Sequence, residues 1–274
     1  MIGVLDFETV LVGGIPTARL SRAELAAKMV LDCRSENLCG SKRPIVVFSS
    51  NGAVIAAFHR DREFRKLLSE ADVIDADGMP LVFASRLLCE RPLAERVATT
   101  DFIHDASAAA VKHRLSFYFL GGKEGVADKA ALNLTRIYPD LNIVGARSGF
   151  FRKEDEASIC ADIVAKGTDV LWLGLGSPTQ ERFAISNRER LRGVGWIKTC
   201  GGLFDHYEGN RPRAPLWMQK SGLEWLFRAM QEPLRLGVRY IRTNPPALFH
   251  LMTKTSDGVI GPSANSLIAR KSEH

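Results

Sequence analysis

Short β-branched and aromatic runs at 44–49, 73–76, 116–120, 142–146, 169–173 and 195–199 alternate with segments of helical periodicity at 21–32, 101–113, 124–137, 153–165 and 178–191. Few architectures accept that alternation. Parallel neighbours need a crossover of a dozen or more residues, usually a helix, so the pattern predicts a largely parallel sheet covered by helices. The expected fold class is α/β, a Rossmann-like doubly wound sheet over 1–204. Beyond it, Pro-punctuated helices predict a basic amphipathic helical appendage over 205–244. The segment 245–274 begins with Pro245-Pro246 and turns Ser-, Gly- and Asn-rich, and it reads as a flexible tail.

In open sheets of this kind, ligands sit beyond the carboxyl ends of the strands, so the residues just after each strand are the candidates for chemistry. Here they are Ser49-Ser50-Asn51-Gly52, Asp75-Ala76-Asp77-Gly78, Gly121-Gly122-Lys123-Glu124-Gly125, Gly174 through Glu181, and Gly201-Gly202-Leu203-Phe204-Asp205. Gly121 and Gly122, between an apolar strand and a helix, offer backbone N–H groups suited to a phosphate; a tight turn that needs glycine is an equal alternative. Ser177-Pro178 is a helix start signal that projects Gln180 and Glu181 from the first turn, where a Gln can hydrogen-bond sugar hydroxyls. A Glu that merely complements the helix dipole is the plainer account.

Asp75-Ala76-Asp77 has the letters of the metal-binding D-x-D signature, but no further acid follows at this strand end to complete an oxygen shell. Asp77 reads better as a general base at the end of its strand, with capping of a helix beginning near Met79 as the rival account. Arg96 reaches either a diphosphate or its neighbour Glu95. Further on, Ser221 and Glu224 have the spacing of a capping box, and Pro233 can open the following helix.

Bulk composition narrows the class. With 46% apolar and 25% charged residues, no run approaches the roughly 18–20 apolar residues that span a bilayer. The N-terminal stretch carries Asp6 and Glu8 inside its apolar run and reads as a strand rather than a signal peptide, so a cytoplasmic protein is expected. Five cysteines, scattered and never spaced C-x-x-C, argue against a disulfide framework or a zinc site. The formal charge of +6 is concentrated: between Arg211 and Arg242 seven cations face two acids, a net +5. In the last helical pattern Leu234, Val238 and Ile241 form an apolar stripe, and Arg235, Arg239 and Arg242 repeat that spacing one residue later. Anionic lipid, the core, or a second subunit in a homo-oligomer can each cover such a stripe.

The motifs, taken with Glu95-Arg96-Val97, Tyr138-Pro139, Gly149-Phe150-Phe151, Arg211-Pro212-Arg213-Ala214-Pro215, Gly222 through Arg228 and Glu232-Pro233-Leu234-Arg235, resemble in order and spacing the WecG/TagA/CpsF glycosyltransferases, glycosyltransferase family 26. The resemblance runs from about residue 3 to 242. It implies an inverting, metal-independent hexosyltransferase without a cofactor, moving sugar from a UDP-sugar donor to a polyprenyl-diphosphate-linked saccharide acceptor. The setting it implies is bacterial exopolysaccharide or cell-envelope polysaccharide synthesis, peripherally at the cytoplasmic surface of the inner membrane. Asp77 falls at the family's proposed base. Ser49 and Asn51 would line the pocket, Arg96 and Gln180 would contact donor or acceptor, and Arg211, Arg213, Arg228 and Arg235 would close over the diphosphate. Glu181 and Asp205 join the substrate-binding set by their strand-end positions. The chain departs from the family in having Thr99 or Thr100 where Gly is usual, Thr179 where Lys is usual, and Ser49 where Thr is common.

Two other classes fit the residues less well. A nucleotide-dependent oxidoreductase needs G-x-G-x-x-G after an early strand, which the chain lacks. A basic nucleic-acid-binding protein would interleave its arginines with stacking aromatics, and here they alternate with an aliphatic stripe, so no nucleic-acid partner is expected.

Overall fold

The computed structural model describes residues 7–35, 43–208 and 213–258. Its strands are β1 (Thr9–Val12), β2 (Ile15–Ala18), β3 (Ile45–Ser50), β4 (Val73–Ala76), β5 (Ser116–Gly121), β6 (Asn142–Arg147), β7 (Val170–Gly174) and β8 (Trp196–Thr199). Its α-helices are α1 (Arg22–Arg34), α2 (Gly52–Arg60), α3 (Arg62–Ser69), α4 (Met79–Leu88), α5 (Thr99–His113), α6 (Val126–Ile137), α7 (Glu156–Ala165), α8 (Thr179–Ser186), α9 (Leu203–Tyr207), α10 (Leu216–Lys220), α11 (Glu224–Gln231) and α12 (Val238–Thr253). Six strands form one sheet in the order β4-β3-β8-β7-β5-β6, with helices in the crossovers. This is the doubly wound α/β class expected. Among the described residues no helix is long and apolar enough to cross a membrane.

The chain divides into two compact units whose boundaries do not follow the expected division at 204/205. One unit takes in Ala23–Phe48 and Thr99–Pro212; the other takes in Asp6–Arg22, Ser49–Ala98 and Arg213–His274. From Arg213 onward, the segment read as an appendage is therefore a structural part of the unit that holds Asp77.

In the first unit, β5 (SFYFLG) and β7 (VLWLG) are buried at every position, as strands covered on both faces must be. Parallel pairing sets Phe117 beside Val170 and Gly121 beside Gly174. Trp172 anchors the core against Phe117 and Phe102, at centroid distances of 5.7 and 6.0 Å.

In the second unit, β1 and β2 form an antiparallel hairpin where a single strand was expected. Gly13 and Gly14 turn it with φ of +58° and +82°, the left-handed pair that a two-residue hairpin turn requires. The far end of the chain closes the edge of this hairpin. Leu11 and Ser256 exchange backbone hydrogen bonds of 3.1 and 3.0 Å, and the Gly14 N–H donates to the Lys254 carbonyl at 2.7 Å. The flexible tail expected from residue 245 is thus corrected over its described part: α12 continues through Pro245 and Pro246 as far as Thr253. A helix-interior proline costs about 3 kcal/mol. Burial of Ala247 and Leu251, the packing of α12 on α2 and the ladder to Leu11 offset that cost. Residues 259–274 lie outside the described residues.

Candidate active site

Three chain segments are knitted together at the ends of β3 and β4 in the second unit. The Asp77 N–H donates to the Ser50 carbonyl at 2.9 Å, and the Val97 N–H donates to the Ala76 carbonyl at 2.8 Å. Asn51, Asp77 and Arg96 are thereby held by backbone bonds beside one another. Ser49 sits half-buried at the end of β3, Ser50 is buried, and Asp75 is 1% exposed within β4, whereas Asp77 lies half-buried beyond the strand. The two carboxylates of the D-x-D letters therefore occupy different surroundings.

The local sequence accounts for these positions. Asn51 caps α2, its side-chain oxygen accepting from the N–H groups of Ala53 and Val54 at 3.1 and 3.2 Å. α4 starts from Gly78, with no side-chain cap and a proline in its first turn. Asp77 is not the N-cap, so the helix-capping account of this residue fails.

Arg96 does not pair with Glu95. Its Nη1 donates to Glu224 Oε2 at 2.9 Å, and Glu95 instead accepts from the Arg22 N–H at 2.8 Å. Glu224 also accepts from Arg228 at 2.9 Å and feels the field of Arg213. Burial alone would push its carboxyl up, but Arg228, Arg96 and Arg213 together hold it below the ordinary carboxylate range. Three arginines act on this one carboxylate, with Arg96 and Glu224 side chains only 12% and 14% exposed. Glu224 is also not a capping-box partner: Ser221 closes α10, with its hydroxyl donating to the Met218 carbonyl, and α11 starts after Leu223 without a side-chain cap. Gly222, at φ +76°, takes the left-handed conformation that ends α10 and restarts the chain. An added Cβ there would meet Phe83 and Met79 of α4 at 3.3 and 3.4 Å, so this turn rests on the helix that Asp77 precedes.

Arg235 is spent locally on Glu232, with a bond of 3.0 Å, and is largely exposed. Arg211 lies outside the described residues.

The first unit carries its own cluster. A Cβ on Gly121 would fall 2.3 Å from the Gly174 carbonyl oxygen, and one on Gly174 would fall 2.9 Å from that of Gly201. These glycines let the carboxyl ends of β5 and β7 and the turn after β8 close on one another. The Gly122 N–H is consumed by the Gly174 carbonyl at 3.2 Å, which favours the tight-turn account of this motif over a direct phosphate cradle. Beside the turn, a cavity of about 290 Å³ is lined by Glu124, Asp128, Ala146, Arg147, Ser148 and Phe150. Gln180 and Glu181 are buried and mutually bonded: Gln180 Nε2 donates to Glu181 Oε1 at 3.0 Å, and Gln180 Oε1 accepts the Gly201 N–H at 3.1 Å. Burial pushes the Glu181 carboxyl up despite that bond. Asp205 lies half-buried on α9.

This order of strand-end loops and arginine-bearing helices has a counterpart among known proteins. The sequence matches the glycosyl transferase WecG/TagA/CpsF family across residues 10–258. The chain belongs to that family. A curated relative, the N-acetylglucosaminyldiphosphoundecaprenol N-acetyl-beta-D-mannosaminyltransferase of Bacillus subtilis (strain 168), is 29% identical over 205 residues, which cover 75% of this chain and 78% of the relative. Membership in WecG/TagA/CpsF makes the chain a glycosyltransferase. Sequence reasoning missed Glu224 as the centre of the arginine cluster. No local signal marks it, since Arg96 stands 128 residues away.

Proposed function

We propose that this glycosyltransferase moves a sugar from a UDP-sugar onto a polyprenyl-diphosphate-linked saccharide by a single inverting displacement. The carrying observation is the arrangement in the second unit, where Asp77, held by its N–H to Ser50, adjoins the segment bearing Arg96. The Asp77 carboxylate takes the proton of the acceptor hydroxyl. The hydroxyl oxygen bonds to the anomeric carbon on the face opposite the nucleotide, the bond from that carbon to the phosphate oxygen breaks, and UDP departs with the electron pair. The charge growing on that oxygen is met by Arg96, Arg213 and Arg228, which are gathered around Glu224 before reaction begins. Ser49 and Asn51 shape the approach of the acceptor. Within the first unit, we assign sugar binding to Gln180, Glu181 and Asp205, with the Gly121-Gly122 turn as their support.

The acceptor class is carried over from the relative, whose printed name specifies a diphosphoundecaprenol-linked N-acetylglucosamine. Access to a lipid-borne acceptor fits the exposed stripe of Leu234, Val238 and Ile241, at 88%, 41% and 76% exposure. Leu234 and Ile241 stand largely clear of the core, and Val238 is partly covered. We assign them to peripheral docking on the cytoplasmic face of the membrane, in bacterial exopolysaccharide or cell-envelope polysaccharide synthesis. The test is a panel of UDP-sugars screened for UDP release and sugar transfer with a polyprenyl-diphosphate-linked acceptor, with and without EDTA. Transfer from one UDP-sugar that survives EDTA supports the reading. Transfer from none sinks the donor class, and loss in EDTA restored by a divalent ion sinks metal independence.

A further inference from the structure

A second cationic site lies on α2 and α12, built from residues that the transferase reading leaves unused. His59 and His250 stack face to face, with centroids 3.6 Å apart and ring planes 22° apart. They line a cavity of about 240 Å³ with Ala56, Arg60, Arg242 and Pro246. No acidic side chain is among the lining residues, and neither Arg60 nor Arg242 has an ion-pair partner among the described residues. His250 Nδ1 is shielded from solvent and has no hydrogen-bond partner there. The facing charges are of one sign: Arg65 from α3 and Lys254 beyond α12 both act on His59, and Lys254 acts on His250. The hairpin supplies only the Gly13 carbonyl, 2.7 Å from His59 Nε2.

A concave site with two guanidinium groups unpaired among the described residues and two imidazoles, and with no carboxylate in its lining, presents an anion with donors from two helices. We propose that the cavity lined by His59, Arg60, Arg242 and His250 binds a phosphate group. Arg60 and Arg242 carry the charge and the forked donors, and the imidazoles add N–H donors when protonated. Burial and the neighbouring cations hold both imidazoles below the ordinary histidine range. A bound phosphate reverses that balance, so its binding and histidine protonation reinforce each other. The source of the phosphate is either a lipid headgroup or a free anion. On α12 the lining residues Arg242, Pro246 and His250 recur every four positions, and the exposed Ile241, Leu248, Phe249 and Met252 form the adjoining stripe. A headgroup held in the cavity would leave its chains against that stripe.

Nuclear magnetic resonance of histidine-labelled full-length protein reads the site directly, without reference to sugar transfer. Inorganic phosphate is titrated against sodium chloride of equal ionic strength while the His59 and His250 ring signals are followed. The expected result is a saturable change in both signals, with their pKa values raised by about half a unit or more. An R60Q/R242Q variant should lose it, while the His104 and His206 signals report an intact fold. A parallel arm uses phosphatidylglycerol and phosphatidylcholine vesicles. Changes with phosphatidylglycerol vesicles alone identify the headgroup as the source, and changes with soluble phosphate alone identify a free anion; either supports the site. Unmoved signals in both arms, or changes that persist in R60Q/R242Q, overturn it. Transferase activity can fail or succeed independently of either result.

Discussion

Arg96 and Glu224 are joined by a 2.9 Å charge-assisted hydrogen bond that closes 128 residues of chain, with both side chains almost out of solvent. Removing the carboxylate leaves Arg96, Arg213 and Arg228 facing one another. Glu224→Gln should therefore destabilise the protein by about 1–3 kcal/mol at pH 7, below the range for fully buried pairs because Arg228 remains solvated. The carboxyl is held below its ordinary value, so its contribution is full above the unfolded value and is lost as pH falls through the folded one. Urea denaturation at pH 7 and pH 4 should show the gap between wild type and variant shrinking at the lower pH. A gap of equal size at both would show that the charge is not its source.

Asp77 is free of capping duty, and that sharpens the prediction for it. Asp77→Asn keeps the size of the side chain and the N–H bond to Ser50 while removing the base. Turnover should fall by about 100-fold or more, the range for loss of a general base. Binding of the UDP-sugar, measured by calorimetry, should stay within about threefold, because uniform binding does not depend on the base. Near-normal turnover in this variant would remove the base assignment.

The parallel sheet was legible because its strands are short apolar runs bounded by Gly and Asp, and every expected strand lies within a residue or two of an observed one. The hairpin had a local signal in Gly13-Gly14 between apolar runs, the pairing that favours a two-residue turn, and reading the segment as one strand overlooked it. Pro245-Pro246 misled in the other direction. Proline reports a local cost, and the packing that overrides it comes from α2 and from Leu11, far away in sequence. The candidate site divides along the same line. Asp77 and Asn51 announce themselves at strand ends, but nothing near Arg96 points to Glu224, and the capping-box reading of Ser221 and Glu224 passes over Gly222, a glycine of the kind that ends a helix.

Glu181 offers a pH test of opposite sign. Its carboxyl is raised by burial, so the stability tied to its protonated form is full below the unfolded value of 4.5 and is lost as pH rises through the folded value. Glu181→Gln is neutral at all pH values and retains an oxygen to accept from Gln180 Nε2. Relative to wild type, the variant should gain stability between pH 4 and pH 7, read from urea midpoints at the two values. A pH-independent difference would mean that Glu181 is not strained by ionisation.

The stripe of Leu234, Val238 and Ile241 tests membrane docking, and it must be tested by surface substitution. Deleting the chain after Phe204 would remove α10, α11 and α12 from the unit that contains Asp77, taking Glu224 away from Arg96 and Ser256 away from Leu11. Serine at Leu234 and Ile241, the two most exposed stripe positions, deletes mainly exposed apolar surface, so stability should change by less than about 1 kcal/mol. Co-sedimentation with phosphatidylglycerol vesicles should fall by about tenfold or more, since apolar burial and attraction to anionic lipid act together at such a face. Arg239, beside the stripe, supplies part of that attraction, so wild-type binding should also weaken as salt rises. If vesicle binding survives while the elution volume on size exclusion shifts to a smaller species, the stripe joins two copies of the chain instead.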